Sequence, residues 1–300
     1  MPEYHVAQPS FARLILPNAE LELLGEGFRW LEGPVWFADA QMLLFSDIPN
    51  NRILRWVEGG ISIFRAPSTF ANGNARDRQG RLITCCHQAR SIIRTEIDGS
   101  ITTLATHYEG KRLNSPNDVT VKRDGTIWFT DPPYGINTDY EGGKQSPELA
   151  ANVYRLDPET GTLDIAAKDF TGPNGLCFSP DESRLYITES GVQFAPNPTR
   201  HIRVFTIGQD GKTLDGGSVF HKVDPGSADG IRCDEEGNLW SSAGDGVHCI
   251  SPCGELLGKI LLNTTVSNIA FGGRHRSRLF ICAGTRLYAI FTNTNGAARP

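Results

Sequence analysis

Six polar side chains fall at matched places along this 300-residue chain: Glu32, Asn72, Asn117, Asn174, Asp229 and Asn268. Each stands ten or eleven residues ahead of the start of a short apolar run, at Leu43, Leu82, Ile127, Leu185, Leu239 and Leu279. All six offer a side-chain oxygen, and two of them, Glu32 and Asp229, are carboxylates. That inventory suits a hard divalent cation. Calcium fits it better than zinc, which favours His and Cys, or magnesium, which favours a compact water-rich octahedron, with Zn2+, Mn2+ and Mg2+ left as alternatives. Asn and Asp ahead of a strand also make turns by bonding their own backbone. Turn formation, however, does not ask for the same residue types in one register six times. An oxygen-held cation with open positions polarises an ester carbonyl and eases the deprotonation of water near neutral pH. It also offsets the charge of a tetrahedral oxyanion. Neither a Gly-x-Ser-x-Gly elbow nor a His-Glu-x-x-His helix occurs, so no covalent serine route and no zincin helix competes.

Positioning six such residues around one point requires a repeating architecture. The apolar runs supply it, each ending in a small residue: Ser46, Thr84, Thr130, Thr188, Ser242 and Cys282. Their spacings are 38, 46, 58, 54 and 40, a mean of about 47, the size of one four-stranded propeller blade. Turns such as Lys122-Arg123-Asp124-Gly125 precede several of the runs and mark antiparallel hairpins. The expectation is an all-β, six-bladed β-propeller over residues 1–300, a single domain with a metal site in its central channel. The innermost strand of each blade lines that channel, so equivalent positions form a ring. A propeller must also hide the edges of its first and last blades. The alternating segment from about 11 to 25 is expected to give the last blade its outer strand.

The segments Leu31-Glu32-Gly33-Pro34, Ala71-Asn72-Gly73, Asn114-Ser115-Pro116-Asn117-Asp118, Trp128-Phe129-Thr130-Asp131-Pro132-Pro133-Tyr134-Gly135, Gly172-Pro173-Asn174-Gly175 and Ala228-Asp229-Gly230 add a resemblance. In that order and spacing they resemble the gluconolactonase, senescence-marker-protein (regucalcin) and luciferin-regenerating-enzyme family, from about Phe28 to Gly284. The resemblance implies a divalent metal at the top of the channel, held by Glu32, Asn174 and Asp229. Asn117 would contact it directly or through water and substrate. It implies hydrolysis of a sugar lactone to the aldonic acid, with glucono-1,5-lactone the first candidate. Within that chemistry Asp229 is expected to act as general base and Asn117 to orient substrate or metal water, which makes these two the catalytic pair.

Chain direction places the loops that follow the second strands over the channel mouth. Two of them are long, Asp131 to Asn152 and Glu189 to His201, and are expected to form lids bearing Asp131, Tyr134 and Phe194. His87 and Arg90 fall on the same rim and match a His and an Arg that the family often keeps. Asn72, His87, Arg90, Asp131 and Tyr134 are accordingly expected to bind substrate. Asp118 must leave the opposite face of its strand from Asn117 and is expected to bond between blades.

Composition bounds the alternatives. Charged residues make up 21% and the net charge is −5, so no nucleic-acid footprint is expected, and Arg274, Arg276 and Arg278 read as a solvated turn. No apolar run approaches the roughly 18 residues of a membrane span. The first ten residues lack the basic and apolar regions of a secretory signal, and a cytoplasmic location is expected. Seven scattered cysteines read as mostly buried thiols. The partner is a small-molecule lactone, and homodimerisation stays open. A calcium-dependent phosphotriesterase or aryl esterase would use the same scaffold but a pocket of Phe, Leu and Met. A non-catalytic binding propeller would leave the ring carboxylates buried without a counter-charge.

Overall fold

The computed structural model describes residues 3–195 and 199–297. Each apolar run of the sequence becomes the second strand of an antiparallel sheet: Met42–Asp47, Leu82–Cys86, Ile127–Asp131, Arg184–Glu189, Leu239–Ser242 and Arg278–Ala283. These runs are buried along their whole length or nearly so, because sheets pack against them on both sides. Six blade sheets result, blades 1 to 6 in chain order, with a separate two-stranded ribbon of His107–Tyr108 and Lys111–Arg112, and the chain is an all-β six-bladed propeller.

Inner strands run over Leu31–Phe37, Ala71–Arg76, Val119–Val121, Pro173–Phe178, Ile231–Cys233 and Asn268–Gly272. Apolar clusters fill the spaces between neighbouring blades. Between blades 6 and 1, Phe280 lies 5.3 Å from Trp36 and 5.2 Å from Trp56, ring centre to ring centre, beside Leu43, Phe45 and Leu54. Truncating such a ring to Ala costs about 3–5 kcal/mol.

Closure uses the N-terminal segment in two places. Glu22–Glu26 pairs with Arg286–Phe291 as the outer strand of blade 6. That strand is shorter and later than the span 11–25 read from the alternation. Residues Pro9–Arg13 form a 3-10 helix instead, with Phe11 and Leu14 buried against blade 5. Glu3–Val6 adds a fifth strand to blade 5 along Leu256–Leu261, an element without a periodic signal.

One surface expectation is overturned. Arg278 is 7% exposed, its guanidinium held by Glu22 and Glu58 and stacked over Trp56, Phe280 and Phe291. Its place inside the second strand of blade 6, and not its basic neighbours, decides its environment. Six of the seven free cysteines are buried and Cys253 is exposed. Among the described residues no helix is long and apolar enough to cross a membrane.

Candidate functional site

The six ring residues stand at or just before the inner strands, and contacts between neighbours link them in a closed circuit. A Cβ on Gly33 would strike the carbonyl of Asn72, and one on Gly73 would strike that of Asn117. Thr130 Oγ1 donates to the carbonyl of Asn174 at 2.7 Å. A Cβ on Gly175 would strike the carbonyl of Asp229, and one on Gly230 the side chain of Asn268. Asn268 Nδ2 donates to Glu32 Oε2 at 2.8 Å and completes the round. Each glycine therefore lets one blade's backbone approach the next. Gly33 also sits at φ +52°, and the ladders of blades 1, 2 and 4 slip register just after the ring residue. Such bulges re-aim side chains, here at the start of the inner strand.

The small residues that end the second strands lock this geometry. Ser46 Oγ donates to the carbonyl of Asn72 at 2.7 Å, and Thr188 Oγ1 to that of Asp229 at 3.1 Å. Ser242 Oγ accepts from the amide of Asp229 at 2.8 Å. A hydroxyl buried there finds its partner on the ring backbone, which accounts for Ser and Thr at the end of otherwise apolar runs.

Electrostatics single out the carboxylates. Glu32 is buried and accepts from Gly33 N at 2.9 Å and from Asn268, yet burial still pushes it up to about 8. The Asp229 carboxylate accepts no hydrogen bond from any described residue. Burial, with the fields of Glu32, Asp118 and Glu141, raises it far above the usual carboxylate range. Asp118 is raised by burial too, and Arg232 opposes this. Asp118 belongs to blade 3 and Arg232 to blade 5, 3.6 Å apart, so the pair spans the channel and does not merely join adjacent blades. Four carboxylates thus feel one another around a single guanidinium.

That imbalance fits a divalent cation. Glu32 and Asp229 could supply charge, and Asn174 and Asn117 amide oxygens that accept no hydrogen bond from any described residue. The buried Oδ1 of Asn72 lacks a partner as well. No three His, Cys, Asp or Glu side chains converge among the described residues. A donor set drawn from these residues would be two carboxylates completed by amides, a composition that suits calcium more than zinc.

The residues expected to bind substrate divide. Tyr134 Oη lies 3.2 Å from Ser190 Oγ, which accepts from Asn174 Nδ2 at 2.9 Å, and its ring packs on Phe194. It therefore borders the site and steadies Asn174. His87 is fully buried: Nδ1 donates to the carbonyl of Glu141 and Nε2 accepts from Asn72 Nδ2, each at 3.1 Å. Burial pushes this ring down to about 4, so it stays neutral. Arg90 is corrected from substrate to scaffold, because its guanidinium is buried on Leu113 O, Gln145 and Glu148. Asp131 is corrected likewise: fully buried, it accepts from Asn114 N at 2.8 Å, and burial pushes it up to about 7. Asp131 ends the second strand of blade 3 and Arg90 lies in the turn just before the third strand of blade 2, and the loop that follows Asp131 folds back over both. Glu141, in the loop between the second and third strands of blade 3, had no periodic or spacing signal. Its fields on Glu32, Asp229 and Tyr134 place it at the same channel. Part of the other long loop, residues 196–198, lies outside the described residues.

At the opposite end of the axis a cavity of about 460 Å³ opens among Trp36, Phe178 and Phe271, rimmed by Arg76, Arg123 and Arg232. There the charges are paired, Arg76 with Asp39 and Arg123 with Glu182.

Residues 30–285 match the family model described as SMP-30/Gluconolactonase/LRE-like region. A gluconolactonase of Zymomonas mobilis is 33% identical over 96% of this chain and 85% of its own length. A solved structure described as a gluconolactonase of Xanthomonas campestris is 39% identical with a TM-score of 0.90, covering 97% of this chain and 95% of that one. A 6-deoxy-6-sulfogluconolactonase of Pseudomonas putida is 27% identical over 83% of this chain and 81% of its own.

Proposed function

The chain belongs to the SMP-30/gluconolactonase/LRE-like family, and on that premise we propose that it hydrolyses a sugar lactone to the aldonic acid, with glucono-1,5-lactone the first substrate to try. The observation that carries this reading is a free carboxylate, Asp229, set beside Glu32 in a ring of amide oxygens. Glu32, Asn174 and Asp229 would hold the cation, Ca2+ before Zn2+, Mn2+ or Mg2+, with Asn117 as a fourth contact. When bound, the ion supplies polarisation of the lactone carbonyl and offsets the charge of the tetrahedral oxyanion.

Residues of the chain do the rest. Asp229, with no donor among the described residues, takes a proton from the water that attacks the carbonyl carbon and returns it to the ring oxygen as the acyl C–O bond breaks. Asn117 orients the lactone or the water. Tyr134 and Ser190 hold Asn174 in place, and the neutral tautomer of His87 fixes the amide of Asn72 with Oδ1 free. The site around Asp229 is built from Asn, Asp and Glu, which favours a polyhydroxy substrate over the lipophilic esters and phosphotriesters of the runner-up reading.

Acid release from a panel of 1,4- and 1,5-aldonolactones, before and after chelation and with cation restored, tests the proposal. Hydrolysis above the spontaneous rate that disappears on chelation is the expected result. Failure on every aldonolactone at saturating cation would sink it.

A further inference from the structure

The loop that joins the second and third strands of blade 3 is held down at several points. A Cβ on Gly142 would strike the carbonyl of Gly135, and a Cβ on Gly135 would strike the ring of His87. These two glycines allow the loop to fold flat against that histidine. His87 Nδ1 then grips the carbonyl of Glu141 at 3.1 Å. Further on, Gln145 N donates to Ile136 O at 2.9 Å, and Arg90 reaches Gln145 Oε1 at 3.0 Å and Glu148 at 3.4 Å. The backbone at Glu141 is thus fixed from below and from the side.

The loop's acidic residues are treated differently. Asp139 caps the amide of Lys144 at 2.8 Å, and Glu148 accepts from the amide of Arg112 at 3.1 Å. The Glu141 carboxylate accepts no hydrogen bond from any described residue, although burial pushes it up to about 7. Its neighbour Tyr140 turns outward and is 53% exposed. A half-buried acceptor with no donor among the described residues, held on a braced backbone through the same histidine that holds Asn72 of the ring, points to a donor that arrives from outside.

Resting on the lactonase reading, we infer that Glu141 is a specificity-determining residue whose carboxylate accepts hydrogen bonds from the hydroxyls of a lactone seated between this loop and the ring of acceptors. His87 is then a positioning residue that acts on substrate choice through the carbonyl of Glu141. The ligand chemistry is a vicinal polyol on a lactone ring, because a carboxylate discriminates strongly between a hydroxyl donor and a methylene that offers none.

The test compares glucono-1,5-lactone with δ-valerolactone, the same six-membered ring without hydroxyls, at saturating calcium, for wild type, Glu141→Gln, Glu141→Ala and the control Tyr140→Ala. A lost hydrogen bond to a charged group corresponds to roughly 10- to 100-fold. The ratio of kcat/KM for the two lactones should fall by that factor in both Glu141 variants, through KM for the hydroxylated lactone, and stay unchanged in Tyr140→Ala. Retained turnover of δ-valerolactone at saturating calcium certifies the fold. An unchanged ratio or an equal loss on both lactones would overturn the assignment while leaving the lactonase reading intact. A wild-type protein inert toward both lactones would overturn the two together.

Discussion

The two ends of the axial channel use charge in opposite ways. At the lower end Arg76 meets Asp39 and Arg123 meets Glu182, while apolar walls from Trp36, Phe178 and Phe271 complete the funnel. At the upper end Glu32, Asp229 and Glu141 crowd together, and two of the three have no donor among the described residues. Both ends are built from the same six inner strands, so the difference is one of sequence and not of architecture. An unpaired carboxylate is costly wherever it is buried, and the fold tolerates it where something else is due to bind. Asp118 and Arg232 form the boundary, spanning the channel between the two regimes.

The boundary offers the largest expected effect. Arg232→Met leaves Asp118, whose side chain is 2% exposed, without its counter-charge, and stability should drop by about 3 kcal/mol, read as a shift of the denaturant midpoint. A midpoint within experimental scatter of wild type would erase the distinction drawn between the two ends. Next comes Asp229→Ala, expected to lower kcat roughly 100-fold or more even with cation in excess and to remove or shift the acidic limb of the pH profile. Asn117→Ala, which loses no ionisable group, should change rate or KM only moderately and keep that limb. Near-normal kcat with a normal limb in Asp229→Ala would move the base elsewhere. Third, Glu32→Gln should weaken calcium binding by more than tenfold, about 1.4 kcal/mol, in a calorimetric titration. Unaltered affinity would take the cation away from the ring.

The smallest effect concerns a buried carboxylate away from the site. Asp131 is pushed up to about 7, above its unfolded value, so the native state keeps its proton longer than the unfolded chain. Its contribution to stability is therefore fully present below about pH 4 and lost as pH rises through 7. Asp131→Asn should gain on wild type by about 1 kcal/mol between pH 6 and pH 7, since the Asn114 amide can still donate to the new side chain. Melting curves at the two pH values decide it, and a constant difference would show that Asp131 stays ionised throughout.

What could be read from the chain follows the period of the fold. Blades were legible because each second strand is a run such as Ile127–Asp131 or Arg278–Ala283 that packs on both faces. The ring was legible because every blade repeats one polar residue ten or eleven positions ahead of that run. Features outside the repeat left less trace. Glu141 lies in a loop whose backbone is held by His87 and two glycines, and no spacing rule reports such a contact. Arg90 and Asp131 were legible as rim residues, but the loop that covers them turned both into scaffold. Arg278 shows that a basic residue in a basic stretch still follows the strand it belongs to.

The outer strand of blade 6, Glu22–Glu26, also sets a schedule for biosynthesis. Its partner, Arg286–Phe291, leaves the ribosome some 260 residues later, roughly 10–50 s at ordinary translation rates of about 5–20 residues per second. For that interval blades 1 to 5 can form while the strand waits with both edges open, and an unpaired strand edge is a template for association with other chains. A nascent chain arrested before blade 6 would therefore be held in its most adhesive state, and only synthesis of the strands from Asn268 to Phe291 releases it.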